Sequence, residues 1–201
     1  MRRLVTAAAL ALMPVVGLAD DPVPAAPLHS HDEIDLDLPP VVTRLPAPLS
    51  QPRRVAIGSD HTGIAMKKAI LQHLRGRGLL VLDQGTHTTE PVDYPDVAAL
   101  VARAVARGEA DAGIVIDGAG IGSAIAANKI RGVRAAMCTD ETIARYSREH
   151  NGANVMTLGS TVLAGNDAAI RITDTWLGTS MREARYIRRL LKVRRLEENP
   201  E

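Results

Sequence analysis

The chain has 201 residues, 46% of them hydrophobic, and a formal net charge of +1; it holds no phenylalanine, one tryptophan, three tyrosines and one cysteine. That length suffices for one domain with a real core and some additional chain. The balanced charge excludes a large field of either sign. The scarcity of aromatic rings argues against the stacking platforms of a single-stranded nucleic-acid binder, so no nucleic-acid partner is expected. The lone Cys138 excludes an intrachain disulfide.

The first element is a leader. Arg2 and Arg3 precede an apolar run over residues 4–19, and Asp20 and Asp21 follow it. This is the order of a secretory signal peptide, with Gly17, Leu18 and Ala19 offering small residues at the cleavage spacing. The run is short for a membrane span, which needs about 20 residues, and Pro14 interrupts it. Residues 1–19 are therefore expected to be a signal peptide, and the protein to be exported or periplasmic. An upstream start codon wrongly chosen, or a helix that only resembles a signal, would leave it cytoplasmic. Residues 20–52 contain Pro22, Pro24, Pro27, Pro39, Pro40, Pro46, Pro48 and Pro52 and an acidic cluster over 31–37. No helical or strand period survives there, so a flexible linker is expected. His29 and His31 beside Asp32 and Glu33 read as a solvated tail rather than a metal site.

From Arg53 the texture changes. VAI (55–57), LLVL (79–82), GIVI (113–116), VRAAM (133–137) and NVMTL (154–158) are short apolar runs without alternation. Strands buried on both faces of a parallel sheet read this way. Between them, Met66, Ile70 and Leu74 recur at helical spacing, as do Val97, Leu100, Val101 and Val105. Further helices are expected to contain residues 124–129, to cover 140–149, to follow Asn166-Asp167 around Ile172 and Trp176, and to run from about 180 to 196. The expected fold is α/β: a three-layer, doubly wound, Rossmann-like domain over 53–197 with a five-stranded parallel sheet flanked by helices, and a tail over 198–201.

Ligands of such sheets sit beyond the carboxyl ends of the strands. Asp60 and His61 end the first strand, where they can bond sugar hydroxyls or move protons. Gly118, Gly120 and Gly122 follow the third strand and lead into a helix. Backbone amides there can face inward beside a helix start and hold an anion, such as a phosphate or an enediolate oxygen. The spacing is neither a dinucleotide fingerprint nor a Walker loop, because residue 123 is serine and no Gly-Lys-Ser/Thr follows. His150 and Asn151 precede the fifth strand. Arg185 and Arg189, four apart on one helix face, suit phosphate oxygens.

Taken in order, GSDHTG (58–63), DYP (93–95), the glycine loop with IAANKIRGVRA (125–135), SREHNGANV (147–155) and LGS (158–160) resemble the family of ribose-5-phosphate isomerase B and galactose-6-phosphate isomerase. The resemblance covers roughly residues 54–195. It implies interconversion of an aldose phosphate and a ketose phosphate through an enediolate, without metal or organic cofactor. It also implies a homodimer or tetramer with its sites at the subunit interface. By the same resemblance Asp60 and His61 bind the sugar and assist ring opening, His150 helps open the ring, and Asn151 hydrogen-bonds the substrate. The amides of Gly118, Ala119, Gly120, Ile121, Gly122 and Ser123 stabilise the enediolate, and Arg185 and Arg189 bind the phosphate.

The chain departs from the family pattern at four of these places. Tyr186 stands where many members have histidine. Asp117 stands where many have a catalytic cysteine, and Ala119 where threonine is common. Ser123 matches the glutamate that one branch uses instead of the cysteine. Aspartate and serine in these places look more like the galactose-6-phosphate isomerase chain that lacks the cysteine, whose paralogous partner carries it. Cys138 lies after the next strand and reads as a small apolar residue. Asp117 thus has three readings. It is the base, as a glutamate is in triosephosphate isomerase; it binds a sugar hydroxyl while a partner chain supplies the base; or it caps the following helix in a non-catalytic sugar-binding relative.

The leader makes the first prediction. Terminal sequencing of the protein recovered from its native host should find a start at or next to Asp20; an intact Met1 in the cytoplasmic fraction would refute export.

Overall fold

The computed structural model describes residues 51–198; the expected signal peptide over 1–19, most of the proline-rich segment expected to be a linker and the last three residues lie outside the described part. Five strands form one parallel sheet: β1 (Arg54–Ser59), β2 (Leu80–Asp83), β3 (Ala112–Asp117), β4 (Ala135–Met137) and β5 (Val155–Gly159). Their order is β2-β1-β3-β5-β4. The chain moves outward from β1 to β2, then crosses back to β3 on the other side of β1. The switch point therefore lies between β1 and β3, the position at which open α/β sheets hold ligands.

Helices α1 (Ile64–Gly76), α4 (Glu141–Glu149) and α5 (Gly165–Gly178) lie on one face, and α2 (Tyr94–Ala106) and α3 (Ile121–Ala127) on the other. Alternate strand residues serve the two layers. Val55, Ile57, Ile114, Ile116, Met156 and Leu158 meet Met66, Ile70, Leu74, Ile172 and Trp176 on the first face. Ala56, Val115 and Val155 meet the alanines and Val101 of α2 on the second. The second layer is thin because glycines in the strands let α2 approach. A Cβ at Gly113 would stand 2.8 Å from the Val101 Cγ1, and one at Gly58 would stand 2.7 Å from the Val97 Cγ1.

All five expected strands and every expected helix are present, with shifted ends. Helix α3 covers 121–127 rather than reaching 129, because the Asn128 side chain turns to β4. Its amide donates to the Ala135 carbonyl at 2.9 Å and its oxygen accepts from the Ala135 N–H at 2.8 Å. The basic helix α6 (Ala184–Glu198) starts four residues later than the expected 180. The intervening stretch is anchored by Met181, which packs with Tyr186 and Leu190.

The end of β5 is the tightest junction. A Cβ at Gly159 would lie 2.6 Å from the carbonyl oxygen of Ala119, a backbone atom that cannot step aside. Gly159→Ala should therefore destabilise the domain by about 1–3 kcal/mol. The reading is a lower urea midpoint at unchanged slope; an unaltered midpoint would contradict the packing.

Candidate active site

Two carboxylates face the switch point. Asp60 follows β1 and is 7% exposed. Its Oδ1 accepts from the Thr62 N–H (2.8 Å), the Thr62 hydroxyl (2.6 Å) and the Gly63 N–H (3.2 Å), which fixes the 3-10 turn His61–Gly63. Its Oδ2 takes no bond among the described residues and is left for a ligand. The half-buried His61 accepts at Nδ1 from the Val92 N–H at 3.4 Å. That contact assigns the neutral ring's proton to Nε2.

Asp117 ends β3 and is 4% exposed. Its Oδ1 accepts from the Ala119 N–H at 2.9 Å and from the Gly120 N–H, and its Oδ2 accepts from the Ser123 N–H at 2.9 Å. Gly120 makes this return possible, with a left-handed φ of 81°, a backbone state open to glycine at little cost. The loop carbonyls point the other way. The Thr161 hydroxyl donates to the Gly118 carbonyl at 2.6 Å, and the Thr157 hydroxyl to the Gly120 carbonyl at 2.7 Å. The glycine loop is thus an anion nest, and in this structure the anion in it is the chain's own carboxylate. The amides of Gly118, Ile121 and Gly122 take no acceptor among the described residues. The Ser123 hydroxyl is buried without a partner.

Sequence reasoning assigned no role to Tyr94, the first residue of α2. Its ring lies over Gly122, where a Cβ would stand 2.6 Å from ring carbons and 3.1 Å from the hydroxyl oxygen. At 42% exposure, its hydroxyl is available at the mouth of the glycine loop. The signal in the sequence was Gly122 itself, a glycine in the first turn of α3 that makes room for something to pack. Lys67 was missed as well. Buried under the site, its ammonium donates to the Asp83 Oδ1 (2.7 Å) and the Thr86 carbonyl (2.8 Å). It thereby holds the segment after β2, which exchanges backbone hydrogen bonds with Ser59.

The other expected residues form a second group. His150 follows α4, stacked on Tyr146 with ring centroids 4.5 Å apart and tilted against Tyr186 at 4.3 Å. Arg185 lies over Tyr186 at 4.7 Å and donates to its hydroxyl at 3.1 Å, and Arg189 lies 5.9 Å from the same ring. The Asn151 amide donates to the Tyr146 carbonyl at 3.2 Å, and its oxygen takes no bond among the described residues. His150, Asn151, Tyr186 and Arg189 line a cleft of about 490 Å³. This group sits at the amino edge of the sheet, where the chain runs into β5, whereas Asp117 and Ser160 sit at the carboxyl edge, where it leaves β3 and β5. The five residues of β5 separate the two edges by roughly 15 Å at about 3.3 Å per residue. One copy of the chain therefore brings together Asp60, His61, Asp117 and the loop, and separately His150, Asn151, Arg185 and Arg189, and does not join the two groups.

Comparison with known proteins gives one consistent picture. The sequence pattern of the Ribose/Galactose Isomerase family matches residues 55–193. Ribose-5-phosphate isomerase B of Escherichia coli (strain K12) is 43% identical over 146 residues, 73% of this chain and 97% of that protein. Among solved structures, ribose-5-phosphate isomerase B of Clostridium thermocellum superposes with a TM-score of 0.70 at 49% identity, covering 72% of this chain and 97% of that one. The Mycoplasma genitalium protein, solved with bound ribulose-5-phosphate, gives 0.69 at 38% identity over 73% and 97% of the two chains.

Cys138 belongs to neither group. Burial pushes its thiol up to about 11, against a weak contact with the Ser147 hydroxyl at 3.8 Å. At about pH 8 an exposed thiol is substantially ionised, whereas Cys138 in the folded protein should react with a disulfide reagent only as fast as the chain opens. Labelling at the rate of a free thiol would show that the residue is accessible.

Proposed function

The chain belongs to the Ribose/Galactose Isomerase family, and on that premise we propose that it interconverts an aldose phosphate and a ketose phosphate, of the ribose 5-phosphate and ribulose 5-phosphate type, with Asp117 as the base. The observation that carries the assignment is the Asp117 carboxylate, set at the switch point of the sheet beside Asp60. A carboxylate is ionised at neutral pH, whereas a thiol in that place needs activation. Starting from the aldose, Asp117 takes the proton from C2. The C2–H electron pair forms the C1–C2 double bond, and the carbonyl oxygen becomes an enediolate oxygen. Return of the proton to C1, with transfer of the hydroxyl proton from O2 to O1, completes the ketose. The amides of Gly118, Ile121 and Gly122 and the Tyr94 hydroxyl are the donors left to meet the oxyanion. Asp60 through Oδ2 and His61 through Nε2 bind the sugar and assist ring opening.

We infer that a second copy of the chain completes the site. The phosphate-binding Arg185 and Arg189, with His150 and Asn151, stand at the opposite sheet edge from Asp117. Docking one copy's amino edge against another's carboxyl edge unites them, which supports a homodimer or a tetramer built from such pairs.

The three amides held by Asp117 favour one further reading. A carboxylate committed to capping its own loop suits a sugar-phosphate-binding relative without turnover, or one member of a hetero-oligomer whose base comes from a paralogue. A panel of pentose and hexose phosphates separates these. Asp117→Asn should lower kcat by roughly a hundred-fold or more, the usual worth of a general base, and Asp117→Cys should retain measurable turnover. Equal turnover by wild type and Asp117→Asn would remove the base assignment. Binding without turnover by the wild type would favour the second reading, and turnover only on adding a paralogue the hetero-oligomer.

A further inference from the structure

One buried cation has no counter-ion. Arg148, in α4, is 0% exposed, and no carboxylate lies within salt-bridge distance of it among the described residues. Burial, with the neighbouring Arg134, lowers its guanidinium to about 10. Burying an unpaired charge is expensive, and an apolar side chain of similar volume generally fills such a space at least as well. Stability alone therefore does not account for an arginine here.

Its contacts suggest what does. The Arg148 Nη1 donates to the Ala153 carbonyl at 2.9 Å, and its Nε donates to the Thr179 carbonyl at 3.3 Å. The guanidinium lies over the Trp176 ring, 4.7 Å from its centroid. Ala153 closes the turn that carries His150 and Asn151. Thr179 ends α5 and begins the connection to α6, which carries Arg185 and Arg189. The preceding carbonyl of the turn, that of Gly152, accepts from the Arg134 Nε at 2.8 Å. Successive carbonyls of one turn thus hang on the buried guanidinium of Arg148 and the half-buried one of Arg134, and only Arg148 reaches across to the helix connection.

We propose that Arg148 is a positioning residue that holds the His150–Asn151 turn in register with the arginines of α6. A planar fork with donors in fixed directions can tie two carbonyls from separate segments. A lysine supplies the same charge from a single point and cannot hold both in this geometry. The proposal rests on the isomerase reading, in which His150 and the two arginines serve one substrate molecule.

The test uses the full chain with Arg148→Gln and Arg148→Lys, read in two ways. In steady-state kinetics on ribose 5-phosphate, both variants should lose about ten- to a hundred-fold in kcat/KM, the range expected for a small misplacement of a working group. Inhibition by inorganic phosphate, which needs only Arg185 and Arg189, should stay within about two-fold of wild type. In hydrogen exchange, amides of 149–154 and of the connection 179–183 should speed up together, while those of 117–123 and of α6 do not change. A fully active Arg148→Lys would overturn the proposal by making charge the operative property. Phosphate inhibition weakening in step with substrate use, or unchanged exchange in the two segments, would overturn it also. If Arg148→Gln does not fold, Arg148→Lys carries the test. If the wild type turns over no sugar phosphate, the isomerase reading fails by itself, and the exchange pattern decides the role of Arg148.

Discussion

The exit of β3 is organised by one carboxylate. Asp117 takes three backbone amides into its two oxygens, and hydrogen bonds to a charged group are each worth on the order of 1.5–3 kcal/mol. These three bonds draw the amide side of residues 118–123 back on the strand. With the amides drawn inward, the loop carbonyls face outward, where Thr157 and Thr161 of the neighbouring segment receive them. The charge at 117 therefore shapes the loop, and the loop in turn closes against Gly159 and offers Gly122 to the ring of Tyr94. An asparagine in its place would have to set an NH2 group against one of these donors, so the negative charge has a structural role as well as the proposed chemical one.

That dual role constrains how such a base can act. A carboxylate anchored at both oxygens cannot swing toward its substrate; the substrate carbon must be delivered to a remaining lone pair. In the proposed reaction, delivery falls to the sugar contacts assigned to Asp60 and His61 and to the phosphate contacts assigned to Arg185 and Arg189. Fixed geometry of this kind lowers a barrier only if the reacting carbon arrives within about 3–3.5 Å, aligned. A thiol would place fewer demands on its neighbours, because it does not fill the nest. The aspartate thus makes the reaction depend more on substrate positioning than a cysteine would.

Much of this was legible in the sequence. The five apolar runs without alternation mark strands covered on both faces, and polar clusters at their ends mark the crevice; Asp60, His61 and the glycine loop stand there because parallel strands place every exit at one edge. What the sequence could not convey is direction. Whether the amides of the loop face an empty site or Asp117 itself depends on one side-chain rotamer, to which residue spacing is blind. Tyr94 and Gly122 are 28 positions apart and meet only because α2 and α3 share a face. His150 and Arg185 read as neighbours of Asp117 only by resemblance; the chain's topology puts them at opposite edges of the sheet.

That separation makes catalysis, as proposed, a property of assembly. Each half is rigid for its own reason: the carboxyl-edge half through Asp117 and the Lys67 contacts, the amino-edge half through stacked rings of Tyr146, His150 and Tyr186 and the buried fork of Arg148. In the proposed assembly, the remaining freedom lies in how one copy docks on the next. Two internally braced halves can meet with the precision an anchored base demands, because rigid bodies transmit an interface contact without loss of register, whereas a flexible turn at His150 would let the ring drift even in a well-formed pair. An unpaired cation in the core and a carboxylate committed to its own loop are, on this view, two parts of the same requirement: neither half can adjust to the substrate, so both must be correctly shaped before it arrives.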